Sequence, residues 1–183
     1  MRYIALLRGI NVGTSGRIRM DALKALMVQA GFSRVETYIQ SGNVLFDSDL
    51  PESAVKNAIE HTLKEGANIS TTAVLRTAEQ LQSLLRDCPF SPEQIERAQA
   101  VNTEGESFYV CLLPQEPDAQ QREKLAKLAP GDDMYELVGR NIYLLVTQSI
   151  RLSKLAIRLQ KIFPDMTNRN WNTMNKLNDL SLL

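Results

Sequence analysis

The apolar positions of this chain switch between strand-like runs and helical spacing, and the switches outline its elements. Residues 2–7 read as a strand, apolar from Tyr3 through Leu7 on both alternating sets, so both of its faces are predicted to be covered. Met20, Leu23, Leu26, Met27 and Ala30 then recur at helical spacing, with Gly31 placed to end the helix. Residues 34–40 and 43–47 read as two strands joined by a turn at Ser41-Gly42-Asn43. Pro51 opens a helix to about Glu65, 71–76 form a strand, and 77–86 a short helix. The order β-α-β-β-α-β is that of the split-βαβ, or ferredoxin-like, unit.

Residues 87–106 interrupt this pattern with Cys88-Pro89-Phe90-Ser91-Pro92, a short polar helix and Asn102-Thr103-Glu104-Gly105. The scheme then restarts. Strands are predicted at 107–113, 133–138 and 141–147, helices at 117–129 and 152–162, a short strand within 165–170 and a terminal helix at 171–181. The expected organisation is a first half at 1–88, a linker at 89–106 and a second half at 107–183. The fold class is α+β: a duplicated ferredoxin-like architecture of two antiparallel sheets with packed helices. A short echo supports duplication. Tyr38 precedes Gly42 by four residues and Asn43-Val44-Leu45-Phe46 follows; Tyr135 precedes Gly139 by four and Asn141-Ile142-Tyr143 follows.

Composition narrows the chemistry. Lys+Arg and Asp+Glu balance at 21 each, so any basic site must be local and a nucleic-acid partner has no support from net charge. No apolar run reaches membrane-spanning length, and the chain begins directly with a strand rather than a signal peptide, so no membrane partner is expected. Cys88 and Cys111 lack CxxC spacing and read as small buried hydrophobes, which fits a reducing cytoplasm. The single histidine, His61, sits in an amphipathic helix pattern and reads as a solvated residue. Triads, Cys-His dyads and multi-histidine metal sites therefore lack their parts, and no metal or cofactor is expected. Asp132-Asp133 follows Pro130-Gly131 and reads as turn chemistry, because adjacent strand residues point to opposite faces.

The most informative segment is the loop after the first strand, Arg8-Gly9-Ile10-Asn11-Val12-Gly13-Thr14-Ser15-Gly16-Arg17. A glycine-bearing strand-to-helix loop is a common anion holder, since its backbone N–H groups point outward. Its glycines form neither GxGxxG nor a P-loop. In a split-βαβ unit the first two strands run parallel with the third between them, so this loop and the Ser41-Gly42-Asn43 turn emerge at the same sheet end. A second unusual stretch crowds Asn168, Asn170, Asn172 and Asn175 around Arg169 and Trp171, although asparagine is a poor helix former. Asn168 or Asn170 suits the cap of the last helix, and Trp171 reads as packing.

Leu6 to Gly13, Tyr38 to Val44 and Arg169 to Thr173 together resemble the bacterial domain-of-unknown-function family numbered 1697. The resemblance spans essentially the whole chain and implies a duplicated α+β, ferredoxin-like architecture. It brings no established activity and hence no catalytic residues. Thr14 stands where the family usually has a further glycine, and Asn168 where threonine is more common.

These observations support three readings. The first is a binding protein for a phosphate-bearing small molecule or a nucleic-acid segment, with Arg8, Gly9, Asn11, Ser41, Gly42, Asn43, Arg169, Asn170 and Asn172 as the site and Arg8 as the main charge. An RNA-binding open sheet is disfavoured, since Ser41 to Phe46 lacks the aromatic pattern and strand one is apolar on both faces. The second is a metal-independent enzyme in which Arg8 stabilises an oxyanion or phosphoryl group, with Tyr38, Ser41 or Lys154 in proton transfer. The third is a structural or interaction module whose motifs hold the two halves together. The environments of Arg8 and Arg169 separate the readings.

Overall fold

The computed structural model describes residues 1–14 and 16–183; Ser15 lies outside the described residues. Among the described residues are two four-stranded antiparallel sheets and seven helices, an α+β fold. The chain divides into two compact units, Met1–Ser83 with Lys176–Leu183, and Leu84–Asn175. The segment 89–106 lies in the second unit and contains a helix.

In the first unit the order is β1 (Arg2–Leu7), α1 (Met20–Gln29), β2 (Ser33–Tyr38), β3 (Asn43–Asp47), α2 (Glu52–Ala67), β4 (Ala73–Thr77) and α3 (Ala78–Arg86), which runs on into the second unit. The strands lie in the order β2-β3-β1-β4. Tyr3, Ala5, Leu7, Val44, Phe46 and Leu75 face the helices and join Leu23, Met27, Val55, Ile59 and Leu63 in one core. Phe32 tilts against Phe46 with ring centroids 4.6 Å apart, adding directional aromatic packing. Ile4, Leu6, Leu45 and Val74, on the opposite set of positions, are also 0–1% exposed. Both sheet faces are therefore covered at the centre, as the apolar run of β1 predicts.

Local chemistry sets the boundaries. β2 ends at Tyr38 rather than continuing to residue 40, and Ile39 just beyond it adopts a left-handed φ of +49° that opens the turn. α2 begins at Glu52 with Pro51 as its N-cap and stops at Asn68, whose φ of +53° and N–H bond to the Lys64 carbonyl close the last turn.

The second unit comprises α4 (Pro92–Val101), β5 (Phe108–Leu112), α5 (Ala119–Ala126), β6 (Met134–Val138), β7 (Asn141–Leu145), α6 (Lys154–Ile162), β8 (Thr167–Asn170) and the start of α7 (Trp171–Ser181). Its strand order, β6-β7-β5-β8, places the strands in the same sequence of roles as the first unit. Ser91 and Gln94 form a capping box at α4, and Asp118 and Gln121 form one at α5. The α5 cap explains why that helix starts at Ala119 rather than at residue 117. Cys111, Leu113, Ile142, Leu144, Val146, Leu155 and Leu159 form the helix-facing core.

The registers of the two units correspond closely. Ile4 opposes Arg76 across β1 and β4, and Val110 opposes Arg169 across β5 and β8. Leu6 opposes Asn43, and Leu112 opposes Asn141. Leu7 N donates to the Gly42 carbonyl at 2.9 Å, and Leu113 N to the Arg140 carbonyl at 2.9 Å. The register corrects one part of the sequence echo. Tyr38 pairs with Asn43, but Asn141 pairs with Val138, so Tyr135 is not the positional counterpart of Tyr38. The turn is longer in the first unit, which offsets the two tyrosines.

Candidate functional site

The loop after β1 and the turn after β2 meet at one end of the first sheet. Asn11 joins them. Its Nδ2 donates to the Ile18 carbonyl at 2.9 Å and to the Gln40 carbonyl at 2.8 Å, while its Oδ1 accepts from Ile18 N at 2.8 Å. Asn11 takes a φ of +55°, which asparagine tolerates better than most residues. Its backbone N–H donates to the Gly16 carbonyl at 2.9 Å, and Arg17 grips the Gly13 carbonyl from Nε at 3.2 Å and Nη2 at 3.0 Å. The loop is thus held by bonds of its own. On its other side Thr71 Oγ1 donates to the Arg8 carbonyl at 2.7 Å and Arg8 N to the Thr72 carbonyl at 3.0 Å.

Gly42 is required by contact as well as by conformation. It has a φ of +77°, and a Cβ there would lie 2.9 Å from Ile10 Cβ and 3.1 Å from Leu7 Cβ. Asn43 is fully buried and donates from Nδ2 to the Tyr38 carbonyl at 3.0 Å and to Ser41 Oγ at 2.9 Å. Ser41, Gly42 and Asn43 therefore build the turn, and Asn11 locks it to the loop.

Arg8 differs from all of these. Its side chain is exposed and its guanidinium makes no hydrogen bond or ion pair with a described residue. Gly9 beside it is exposed with a φ of +70°. Val12 and Ile39, on the same two loops, are 66% and 47% exposed.

The third motif belongs to the second unit. Arg169 is buried in β8, with Nη1 donating to Thr167 Oγ1 and to the Asn168 carbonyl, both at 2.8 Å. Burial pulls its pKa down to about 10. Asn170 Oδ1 accepts from Thr173 N at 2.8 Å and caps α7, which settles the choice between Asn168 and Asn170. Asn172 Nδ2 reaches both carboxylate oxygens of Glu106, at 3.1 and 3.3 Å. Trp171 stacks on Phe108 with centroids 4.3 Å apart and planes 14° from parallel. It packs, as its pattern predicts.

Arg76 and Asp133 turn out to be structural, the first without a sequence signal and the second beyond the turn chemistry expected of it. Arg76, the register counterpart of Arg169, is 1% exposed and donates from Nη1 to the Leu75 carbonyl at 2.6 Å. Asp133 is buried, accepting from Thr147 N at 2.9 Å and from Ser153 Oγ at 2.6 Å, while Asp132 is exposed. The Ser153 it holds is the N-cap of α6. Among the described residues no group of acidic, histidine or cysteine side chains is arranged to hold a metal ion. His61 is exposed on α2. Cys111 is buried and its thiol is pushed up to about 12 by desolvation; Cys88 is raised for the same reason. Neither thiol has the electropositive surroundings of a reactive cysteine. No described helix is long and apolar enough to cross a membrane.

Comparison with known proteins places this geometry. Residues 1–143 match the family described as protein of unknown function, DUF1697. Among curated proteins no match was found. The conserved bacterial protein SP0830 from Streptococcus pneumoniae has a similar structure, with a TM-score of 0.78 and 21% sequence identity over 100% of this chain and 98% of that one. At that identity the likeness establishes a shared fold.

Proposed function

The chain belongs to the DUF1697 family, whose function is unknown, and from that premise we propose that it binds a phosphate-bearing small molecule at the sheet end of the first unit. The observation that carries this reading is the exposed guanidinium of Arg8, without a hydrogen bond or ion pair to a described residue, on a loop whose Asn11 and Arg17 side chains are engaged in holding its shape. A cation presented on a fixed backbone binds an anion without first paying to order the loop. Arg8 supplies the forked donor for phosphate, with Gly9 allowing close backbone approach. Asn11, Ser41, Gly42 and Asn43 hold the two loops together. Val12 and Ile39 offer apolar contact to the organic part of the ligand. Ile39 adds an observation of its own: a β-branched residue at a φ of +49° is strained, and such strain concentrates at functional loops.

In this reading Arg169, Asn170 and Asn172 shape the β8–α7 junction rather than touch ligand, because their donors and acceptors are engaged within the second unit. Nucleic acid ranks below a small molecule because the net charge is zero and the sheet centres are buried. The enzyme reading is weaker, since the Tyr38 hydroxyl has no partner among the described residues to activate it and Lys154 lies in the other unit. The corresponding registers further support two ferredoxin-like copies arisen by duplication. Two free thiols fit a bacterial cytoplasm.

A thermal-shift screen over nucleotides, phosphosugars and short RNAs tests the proposal. A true ligand at about a hundred times its Kd stabilises by about 2.7 kcal/mol. Arg8→Ala is expected to keep the unliganded melting temperature and lose that shift. The absence of stabilisation by any of these classes, or a shift unchanged in Arg8→Ala, would refute the assignment.

A further inference from the structure

We propose that the groove beside α6 and β8 in the second unit docks an acidic, apolar segment of a partner protein. Between Gln148 and Pro164 the chain carries Arg151, Lys154, Arg158 and Lys161 and no acidic residue, in a protein of zero net charge. None of these cations makes an ion pair or a side-chain hydrogen bond with a described residue. The counterpart helix in the first unit is built differently. α2 mixes Glu52, Glu60 and Glu65 with Lys56 and Lys64, and Lys56 pairs with Glu60 at 2.8 Å. The positive charge is thus concentrated on α6 and the turn before it; Asp165 follows the stretch, and Arg151 lies within electrostatic reach of Tyr109, which also feels Glu106.

The helix also exposes apolar side chains where a solvated face would be polar. Leu155 and Leu159 are buried in the core, but Ile157 is 46% exposed and Leu152, just before the helix, 61% exposed. Lys154, Ile157, Arg158 and Lys161 share the outer face at helical spacing. Beside that face lies a groove of about 480 Å³ with Ile150, Ala156 and Met166 in its lining and Arg151 and Lys161 among its charged residues. Asn168 of β8 completes it, and β8 is the edge strand of its sheet. An extended peptide fits this setting: its acidic side chains meet the cations, its apolar ones enter the groove, and the edge strand accepts strand addition.

Other anionic partners suit it less well. Single-stranded nucleic acid binds through aromatic platforms, and Phe163, the aromatic residue of this stretch, is buried. A membrane-surface helix inserts its whole apolar face, whereas Leu155 and Leu159 of α6 are committed to the core.

Fluorescence anisotropy on the intact chain tests the assignment, using as probe a blocked peptide of about ten residues in which Glu alternates with Leu. The controls are a Lys–Leu peptide, an oligoglutamate of equal length, oligouridine and phosphatidylserine vesicles. The Glu–Leu peptide is expected to bind in a salt-sensitive manner. The double variant Arg151→Glu, Lys161→Glu should weaken it about a hundredfold and Ile157→Ser about tenfold, with melting temperatures unchanged. Arg8→Ala should leave this binding intact, which separates it from the phosphate site. No binding of the Glu–Leu peptide, equal binding of oligoglutamate, tighter binding of oligouridine or vesicles, or insensitivity to both α6 variants would overturn the proposal.

Discussion

The two units share strand order and register but differ in the connection that follows the first strand. In the first unit the connection from Arg8 to Arg19 is long, and its described residues include three positive-φ glycines, Gly9, Gly13 and Gly16, and internal bonds from Asn11 and Arg17. In the second, Pro114–Asp118 lead quickly into the capping box of α5. Each connection is tied to its neighbouring hairpin turn, by Asn11 to the Gln40 carbonyl in one case and by Arg140 Nη1 to the Pro114 carbonyl in the other. The shared frame therefore makes the sheet, and the longer loop is an addition of the first unit that also gives Ile10 to its core. Two arginines show the same division. Arg169 sits at a framework position shared with Arg76 and is buried and bonded; Arg8 sits on the added loop and is exposed.

The largest test of this contrast is truncation of the two arginines. Arg169→Ala leaves a cavity and strips donors from buried acceptors, and is expected to cost about 4 kcal/mol in urea unfolding. Arg8→Ala should stay within about 0.5 kcal/mol of the parent. Comparable losses for both would show that Arg8 also belongs to the framework.

The turn glycines give a smaller contrast. At Gly42 a methyl group meets Ile10 and Leu7 and the backbone strain at φ +77°, so Gly42→Ala should cost about 3 kcal/mol. At Gly139, φ +59°, the nearest outside atom to a Cβ is a flexible Glu116 carboxylate oxygen at 4.0 Å, leaving backbone strain of about 1 kcal/mol. Equal costs would mean that the close packing of the first loop against its turn adds nothing.

The smallest test concerns the second core. Folding raises the Cys111 thiol to about 12 from its ordinary 9. The folded state keeps the proton while the unfolded chain ionises first, so this stability is present below pH 9 and is lost as pH rises from 9 toward 12. From pH 8 to pH 10 the parent should lose about 1.4 kcal/mol more than Cys111→Ala. Parallel pH profiles would contradict the dry environment assigned to Cys111.

Much of the frame was readable from local pattern. The apolar run Tyr3 to Leu7 predicts a doubly covered strand, and β3 and α7 fall at their expected boundaries. Errors of a residue or two arose where a local conformation overrode the hydrophobic period, as at Ile39, or where a cap chose the start, as at Asp118. The polar motifs were readable as unusual but not in their roles. Asn11, Asn43, Asn170 and Asn172 look alike in sequence, yet one ties two loops, one anchors a turn, one caps a helix and one meets a carboxylate. Their partners are Gln40, Tyr38, Thr173 and Glu106, and the more distant of these pairings have no local signature.

The sequence by itself determined the order of elements, because periodicity and turn chemistry act over a few neighbouring residues. It also determined that a triad, a Cys-His dyad or a multi-histidine metal site would have to rely on the single His61, because composition is independent of conformation. Tertiary structure decided which arginine is exposed and which is buried. Arg8 and Arg169 each adjoin apolar and asparagine-bearing sequence, and only the pairing of β8 with β5 places Arg169 opposite Val110 inside the protein. In the first sheet the pairing of β1 with β3 and β4 stops at Leu7 and leaves Arg8 beyond it, exposed.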